Sequence, residues 1–362
     1  MNNIREKEIF FVLPQFLNYP IGGYKIVFEY ANKLCQDNFK VKILFLNSNA
    51  LKKYKIPQWS KKLIMQYRTK KGPKWFNLNE KIQCISVFND KANMNKENPN
   101  IVIATDSTTT TFVNKFFNSS KKFYFIQGYE TWNMSKNELY ETYNLGFTNI
   151  TVSNWLKKIV DSHSKTPSKC VNNPIDLNVY REIIPVNGRK GIKIGMLYSD
   201  SPNKGSKYVI KALLQVKKYV PNLKVVMFGT SDIPKNLPDW FSYYKDATQE
   251  QTVNIYNNIK IFVSGSINEG FGLTGLEAMA CGATLISNDY AAVHEYAVNN
   301  SNSILVKIKD TNKLADTIIQ LLDNDKYRIK LAKAGLKSVK KFSWSKSYTK
   351  FKNILLEACD GK

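Results

Sequence analysis

Glu269-Gly-Phe-Gly-Leu-Thr-Gly-Leu-Glu277, followed by Ala-Met-Ala-Cys-Gly282, is the stretch of this 362-residue chain most able to do chemistry. It follows an apolar strand, Ile261–Ser264, and opens a helix. Gly270 and Gly272 let the backbone turn tightly and approach a ligand without side-chain hindrance. The N–H groups of Gly270, Phe271, Gly272, Leu273 and Thr274 face outward at a helix start, an anion site suited to a diphosphate. Glu269 precedes the helix and Glu277 lies about one turn inside it, so the two carboxylates can reach hydroxyls of a ligand whose phosphates sit on the N-terminus. Two plainer uses compete. Glycines before a helix serve tight packing, and a glutamate in a first turn is a common capping group. Gly270-x-Gly272-x-x-Gly275, with Asp289 beyond it, also matches the dinucleotide fingerprint. That fingerprint normally opens the first βαβ unit of its domain; here it sits deep in the second half, directly behind a glutamate, which argues against a nicotinamide or flavin enzyme.

The elements that must position this segment are legible as alternating short apolar strands and amphipathic helices. That alternation predicts α/β architecture with parallel sheets. The first half offers strands at Ile9–Leu13, Val41–Leu46, Ile101–Ala104, Lys122–Ile126 and Asn149–Val152. It offers helices over about 24–36 and, capped by Ser153, to about Asp161. Asp176–Gly191, with Pro185, Gly188 and Gly191, reads as a linker. A second series follows, with strands at Ile192–Leu197, Lys224–Phe228, Lys260–Val263 and Thr284–Ser287. Its helices span Lys207–Tyr219, Asp310–Leu322, Lys326–Lys341 and Ser345–Ala358. The expectation is two doubly wound halves facing across a cleft, with ligands beyond the carboxyl ends of the strands.

Composition excludes several alternatives. A chain of 362 residues that is 43% hydrophobic can fill two cores. No apolar run has membrane-spanning length. The N-terminus lacks a signal-peptide layout, so a cytoplasmic protein is expected. Five scattered cysteines without a C-x-x-C pair fit reduced thiols, and two histidines make a histidine metal centre improbable. Asp323-Asn-Asp325 falls between two helices and reads as a helix-end turn. No metal and no cofactor are expected. The formal charge is +24, which favours anionic partners. Between Leu51 and Asn79 there is no acid, while Lys52, Lys53, Lys55, Lys61, Lys62, Arg68, Lys70, Lys71 and Lys74 alternate with Tyr54, Trp59, Leu63, Ile64, Met65, Tyr67, Trp75 and Phe76. Basic residues with interfacial aromatics suit an anionic bilayer surface, and Lys52, Lys53, Trp59, Lys61, Lys62, Lys70 and Lys71 are its expected contacts. A solvated basic loop over a small apolar cluster is the plainer reading. No nucleic-acid module is present, so nucleic acid is not expected as a partner.

The segment Ser266-Ile-Asn-Glu269-Gly-Phe-Gly-Leu-Thr-Gly-Leu-Glu277-Ala-Met-Ala-Cys-Gly resembles the signature of family 4 glycosyltransferases of the GT-B fold. Gly22-Gly23, Thr151-Val-Ser-Asn-Trp-Leu156, Val171-Asn-Asn-Pro-Ile-Asp176, Lys204-Gly205, Val293-His-Glu295-Tyr and Phe342-Ser-Trp344 resemble its other motifs, in order, over nearly the whole chain. The resemblance implies two Rossmann-like domains, an acceptor domain at 1–180 and a nucleotide-sugar donor domain at 190–342. It implies a closing helix, about 344–362, packed back on the first. Glu269 would contact hydroxyls of the donor sugar and Glu277 the nucleotide ribose. Lys204 and the N–H groups of Gly270 to Thr274 would hold the diphosphate, and Gly22 and Gly23 would admit the phosphates to the first domain's backbone.

The pattern also departs from the family. Gly195-Met196-Leu197 lacks an arginine that members often carry before the phosphate lysine, leaving Ser199 or Asp200 to reshape the loop, or Lys207 to substitute for it. Where many members have a histidine, the chain reads Phe125-Ile-Gln127-Gly-Tyr129-Glu130-Thr-Trp132, which resembles a subset of bacterial surface-polysaccharide transferases that includes rhamnosyltransferases. Gln127 and Glu130 are then catalytic candidates beside Glu269, with Tyr129 and Trp132 on the acceptor side. Glu130 would be a base, an orienting group or a surface residue after a strand. The implied function is metal-independent, retaining transfer of a hexosyl or deoxyhexosyl group, with uridine or deoxythymidine (rhamnose) diphosphate donors, to a glycan or lipid-linked acceptor. It would serve cell-surface polysaccharide (capsule) synthesis at the inner membrane face. The alternative is a catalytically silent homologue acting as a binding or chaperone subunit.

Overall fold

The computed structural model describes residues 7–88 and 97–359. The opening residues read for a leader and the last three of the expected closing helix lie outside them. The chain forms two compact units, one holding the segment up to Asn172 together with the segment from Ser345, the other Asn173–Trp344.

The first unit runs β1 (Glu8–Leu13), α1 (Gly22–Gln36), β2 (Lys40–Leu46), α2 (Gln58–Lys70), β3 (Gln83–Val87), β4 (Ile101–Ala104), α3 (Ser107–Phe116), β5 (Lys121–Ile126), α4 (Lys136–Thr142), β6 (Thr148–Thr151), α5 (Asn154–His163) and β7 (Lys169–Cys170). Its strands are parallel, in the order β3-β2-β1-β4-β5-β6-β7. β1, Glu-Ile-Phe-Phe-Val-Leu, is buried at every position after the first, as a parallel strand covered on both faces must be. Phe10, Val12, Val102, Ala104, Tyr124 and Ile126 form the centre of a core shared with α3 and α4.

The second unit runs β8 (Lys193–Leu197), α6 (Ser206–Tyr219), β9 (Lys224–Gly229), β10 (Phe241–Lys245), α7 (Gln249–Asn258), β11 (Ile261–Ser264), α8 (Leu273–Ala280), β12 (Thr284–Asn288), β13 (Ser303–Val306), α9 (Thr311–Asp323) and α10 (Asp325–Ser338). The order is β10-β9-β8-β11-β12-β13, again parallel. Each sheet therefore reverses its winding once, beside β1 and β4 in the first and beside β8 and β11 in the second. Crevices at such switch points are where doubly wound sheets bind ligands.

The segment expected to be a linker is packed into the second unit. Ile175 donates its N–H to the Phe342 carbonyl at 2.8 Å. The Tyr180 ring lies 6.3 Å from that of Tyr256, and Asn257 Oδ1 accepts the N–H groups of Ile183 and Ile184. The units accordingly divide at Asn172–Asn173, ahead of the 176–191 linker read from composition and of the bound at 180 that the resemblance implies. The segment lacks periodicity because side-chain-to-backbone bonds, not a helix or strand ladder, hold it.

The closing helix α11 (Trp344–Cys359) belongs almost wholly to the first unit. Phe351, fully buried, stacks on Tyr30 at 4.2 Å and meets Phe125 edge-on at 5.5 Å. Tyr348 and Lys352 both reach Asp37 Oδ2, at 2.6 and 2.7 Å. Removing the Phe351 ring leaves a cavity among aromatic partners. Phe351→Ala is expected to lower the stability of the first unit by about 3–5 kcal/mol, read by denaturant unfolding against the exposed Lys350→Ala, which should be near neutral.

Candidate functional site

In the second unit the chemistry gathers at the carboxyl ends of β8 and β11. The loop after β8 makes one short turn, Pro202–Lys204, and reaches Gly205 in the left-handed region at φ +59°. A Cβ on Gly205 would stand 2.1 Å from the carbonyl oxygen of Gly265, the residue after β11. A Cβ on Gly265 would stand 2.5 Å from Val209 Cγ2. Two glycines thus let the loops touch backbone to backbone. Ile267 N–H donates to the Asn203 carbonyl at 2.7 Å, and Asn288 Nδ2 donates to the Gly265 carbonyl at 2.7 Å, which fixes the contact. Its result is an ion pair: Lys204 Nζ lies 3.0 Å from Glu269 Oε2, both partly enclosed. Ser266 Oγ donates to the other carboxylate oxygen, Oε1.

Gly272 caps α8 at φ +95°. A Cβ there would fall 2.0 Å from the Tyr290 hydroxyl, and one on Gly275 2.6 Å from that of Tyr296. Tyr296 donates to the Gly272 carbonyl at 2.8 Å, and the two tyrosine hydroxyls are 3.0 Å apart. Both rings are buried, which pushes both phenols well up. The glycines of this motif therefore make room for a tyrosine pair that holds the helix start from below. At the start of α8 the Gly275 N–H donates to the Gly272 carbonyl at 3.2 Å, and those of Leu273 and Thr274 lie at the helix N-terminus, where such groups have no intrahelical partner. Glu277, on the same helix, accepts from the buried Tyr256 hydroxyl at 3.2 Å. Phe271 is buried, its ring tilted against that of Tyr296 with centroids 5.8 Å apart, so it anchors the loop.

Arg189 was invisible as a functional group in the sequence. It is 6% exposed, and its guanidinium donates to the carbonyls of Tyr256 (3.0 Å), Ile259 (2.6 Å), Ile184 (3.4 Å) and Cys281. Burial pulls its pKa down to about 10. A cation at the last carbonyls of α7 and α8 favours both helix ends and tethers them together. Asp325, of the D-x-D turn, pairs with Arg328 at 2.9 Å and Lys260 at 3.5 Å.

In the first unit, Gly22 and Gly23 open α1 directly after the loop from β1. Gln127, just past β5, lies against them: its Oε1 is 3.3 Å from where a Gly23 Cβ would be. That oxygen is buried and has no hydrogen-bond partner. Glu130 is 4% exposed, neither on the surface nor open to solvent. Its Oε2 accepts the Ser107 N–H at the start of α3 (2.6 Å) and the Tyr124 hydroxyl (3.4 Å). Desolvation, reinforced by nearby Asp106, pushes its pKa up to about 8 against these hydrogen bonds. Glu130 thereby staples the 127–134 loop to α3. The Tyr129 hydroxyl is 2.8 Å from that of Tyr140, and Trp132 is 58% exposed.

The basic segment folds as α2, with Met65 and Thr69 buried and Trp59, Leu63 and Tyr67 exposed at i, i+4 and i+8. Lys52, Lys53 and Lys70 are exposed, Lys61 half-buried, Lys62 half-buried over Phe88, and Lys71 exposed over Tyr67 at 4.4 Å. Trp75 and Phe76 turn inward onto Phe28, at 5.6 and 5.4 Å, so these two aromatics and Met65 do not join the exposed stripe. Among the described residues no helix is long and apolar enough to cross a membrane.

Two parallel doubly wound units, the second with a carboxylate–lysine pair at its switch point, define the GT-B fold. The same fold is seen in sucrose-phosphate synthase of Thermosynechococcus elongatus (TM-score 0.77, 14% identity, 98% of this chain and 100% of that one). It recurs in HepE of Anabaena, solved with UDP and glucose (TM-score 0.74, 14% identity, 97% and 100%). Residues 181–338 match the family model "Glycosyl transferases group 1". The match falls wholly within the second unit, which is similar to that glycosyltransferase family. A D-inositol 3-phosphate glycosyltransferase of Corynebacterium efficiens is 25% identical over 197 residues, 49% of this chain and 46% of the relative. The chain spans between 40% and 60% of the lengths of the first curated relatives it matches.

The environment of Glu130 gives a signed pH dependence. Its carboxyl is protonated more readily folded than unfolded, so it costs no stability below the unfolded pKa near 4.5 and an increasing amount as pH rises towards about 8. Glu130→Gln keeps an acceptor for Ser107 and removes the titration. The variant should match the parent in thermal melts near pH 4.5 and exceed it by on the order of 1–3 kcal/mol near pH 9; equal slopes for the two proteins across that range would refute the assignment.

Proposed function

We propose that this protein transfers a sugar from a nucleoside-diphosphate sugar, held by the second unit, to a glycan or lipid-linked acceptor in the synthesis of cell-surface polysaccharide or glycoconjugate. The observation that carries the reading is the Lys204–Glu269 pair at the ends of β8 and β11, beside the N-terminus of α8 that bears Glu277. Lysine is a compact, mobile cation well suited to a phosphate. An arriving diphosphate takes Lys204 and the α8 N–H groups, and Glu269, released from its partner, faces the hydroxyls of the sugar. Glu277, steadied by Tyr256, takes the ribose hydroxyls.

The reaction breaks the bond from the anomeric carbon to the β-phosphate oxygen and forms one from that carbon to the acceptor oxygen. Negative charge grows on the leaving phosphate, where each well-placed donor contributes about 3–4 kcal/mol. With Lys204 and helix N–H groups supplying that stabilisation, no metal ion is required. Glu130, the carboxylate the sequence offers as a base, is enclosed and engaged. The family resemblance implies that the acceptor's proton passes to the departing phosphate oxygen on the same face, with retention of anomeric configuration. On the first unit Gln127, with its unpartnered amide oxygen beside Gly23, is the group positioned to meet a hydroxyl; Trp132 offers an exposed ring to a sugar face. A hexosyl or deoxyhexosyl group, on UDP or on dTDP as in dTDP-rhamnose, fits this chemistry.

The chain is cytoplasmic on this reading and sits peripherally on an anionic membrane. The support is α2: an exposed Trp59–Leu63–Tyr67 stripe within a segment that carries nine cations and no acid from Leu51 to Asn79. Near an anionic surface each such cation contributes about 1 kcal/mol.

Calorimetry with UDP, GDP and dTDP should give one selective ligand whose binding survives EDTA. Glu277→Ala should weaken it about tenfold or more, while Glu269→Gln should bind it and lose at least about a hundredfold in donor turnover. Absence of binding by every nucleotide would leave a silent subunit as the correct reading. For the membrane, sedimentation with phosphatidylglycerol vesicles should exceed that with phosphatidylcholine, fall with salt, and drop at least about tenfold in Trp59→Ser/Leu63→Ser/Tyr67→Ser. Equal sedimentation of parent and variant would remove α2 from the contact.

A further inference from the structure

A cavity of about 730 Å³ lies wholly within the first unit, between the loop after β1, the turn at Ala50–Leu51 and one side of α2. That is the size of a site that encloses a drug-sized ligand. Phe16, Leu17, Leu51, Ile64 and Met65 give it an apolar wall. The loop that forms this wall is tied down: Phe16 N–H donates to Asn47 Oδ1 at 2.8 Å, Tyr24 OH to the Gln15 carbonyl at 2.8 Å, and Trp75 Nε1 to the Leu17 carbonyl at 3.3 Å. With these backbone groups engaged, the loop presents Phe16 and Leu17 to the cavity beside the polar Gln15 and Asn18. The same cavity is lined by Arg68, Lys71 and Lys74 and by no acid.

A neutral sugar would leave three cations unpaired, and a free anion would leave the apolar wall unfilled. The combination matches an amphiphile with a hydrocarbon chain and an anionic head. Tyr67 belongs both to the cavity lining and to the exposed stripe of α2, so the cavity opens along the helix that the membrane reading lays on the bilayer. We propose that this cavity seats the lipid anchor of the acceptor, the hydrocarbon chain against Phe16, Leu17, Ile64 and Met65 and its phosphate on Arg68, Lys71 and Lys74. The acceptor role rests on the sugar-transfer reading; the binding itself does not, and is measured without donor.

The probe is dodecyl phosphate, titrated calorimetrically below its micelle concentration, with inorganic phosphate and dodecyl maltoside as the separated head and chain arms. Dodecyl phosphate should bind at least about tenfold more tightly than either. Ala50→Phe and, as a second filling variant, Leu51→Trp should each erase most of the gain over inorganic phosphate. Arg68→Gln/Lys71→Gln/Lys74→Gln should erase the gain over the maltoside. All three should keep the parent's nucleotide affinity, which reports a folded chain. Dodecyl phosphate binding no tighter than inorganic phosphate, or unchanged in folded Ala50→Phe and Leu51→Trp, overturns the proposal. Loss of nucleotide binding by the parent, with dodecyl phosphate still bound, would sink sugar transfer and leave the amphiphile site standing.

Discussion

The close approach of two loops at one switch point is the constraint on which the site of the second unit depends. Gly205 and Gly265 meet with no room for a Cβ on either, and across that contact Lys204 reaches Glu269. Any side chain at these positions would wedge the carboxyl ends of β8 and β11 apart and leave both charges without a partner. The pair sits where the fold itself exposes two divergent strand ends. The pairing keeps a lysine and a glutamate mutually compensated.

Around that contact the structure spends its buried polar groups on holding backbone. Tyr290 and Tyr296 support the start of α8 through the Gly272 carbonyl, and Arg189 holds its end through Cys281. Helix α8, eight residues long, is too short to be stable by itself. Its direction, and so the aim of its free N–H groups, is set by these tertiary bonds. Glu130 does the same for the first unit: its buried carboxylate secures the 127–134 loop to α3, which leaves Gln127 and Trp132 as the groups with unspent capacity.

The charge of the chain has an address as well as a size. A formal +24 averaged over the surface would be bland. Around α2 it is set beside an exposed apolar stripe and an adjoining apolar cavity lined by three cations. Cations set against apolar surface answer to amphiphiles rather than to free anions.

Much of this was legible in the sequence. Parallel strands buried on both faces are continuous apolar runs, so β1, β4, β8, β11 and β12 announce themselves, and the Glu269–Glu277 motif follows β11 as its spacing requires. Helix α3 was not legible: Ser107-Thr-Thr-Thr-Thr is a β-branched run, and only the Asp106 capping box turns it into a helix. Nor was α7, Gln-Glu-Gln-Thr-Val-Asn-Ile-Tyr-Asn-Asn, too polar to show a face until Tyr256 and Asn257 were seen buried. Local sequence determined which segments are strands and which residues were candidates for a site, because burial and backbone freedom are properties of residue type and near neighbours. Which of those residues meet was decided only by tertiary structure. Lys204 and Glu269 are brought together by loops from different strands, Glu130 is enclosed by α3, and Arg189 is drawn from an apparent linker into a core. Long-range packing and desolvation, which no spacing along the chain encodes, made those choices.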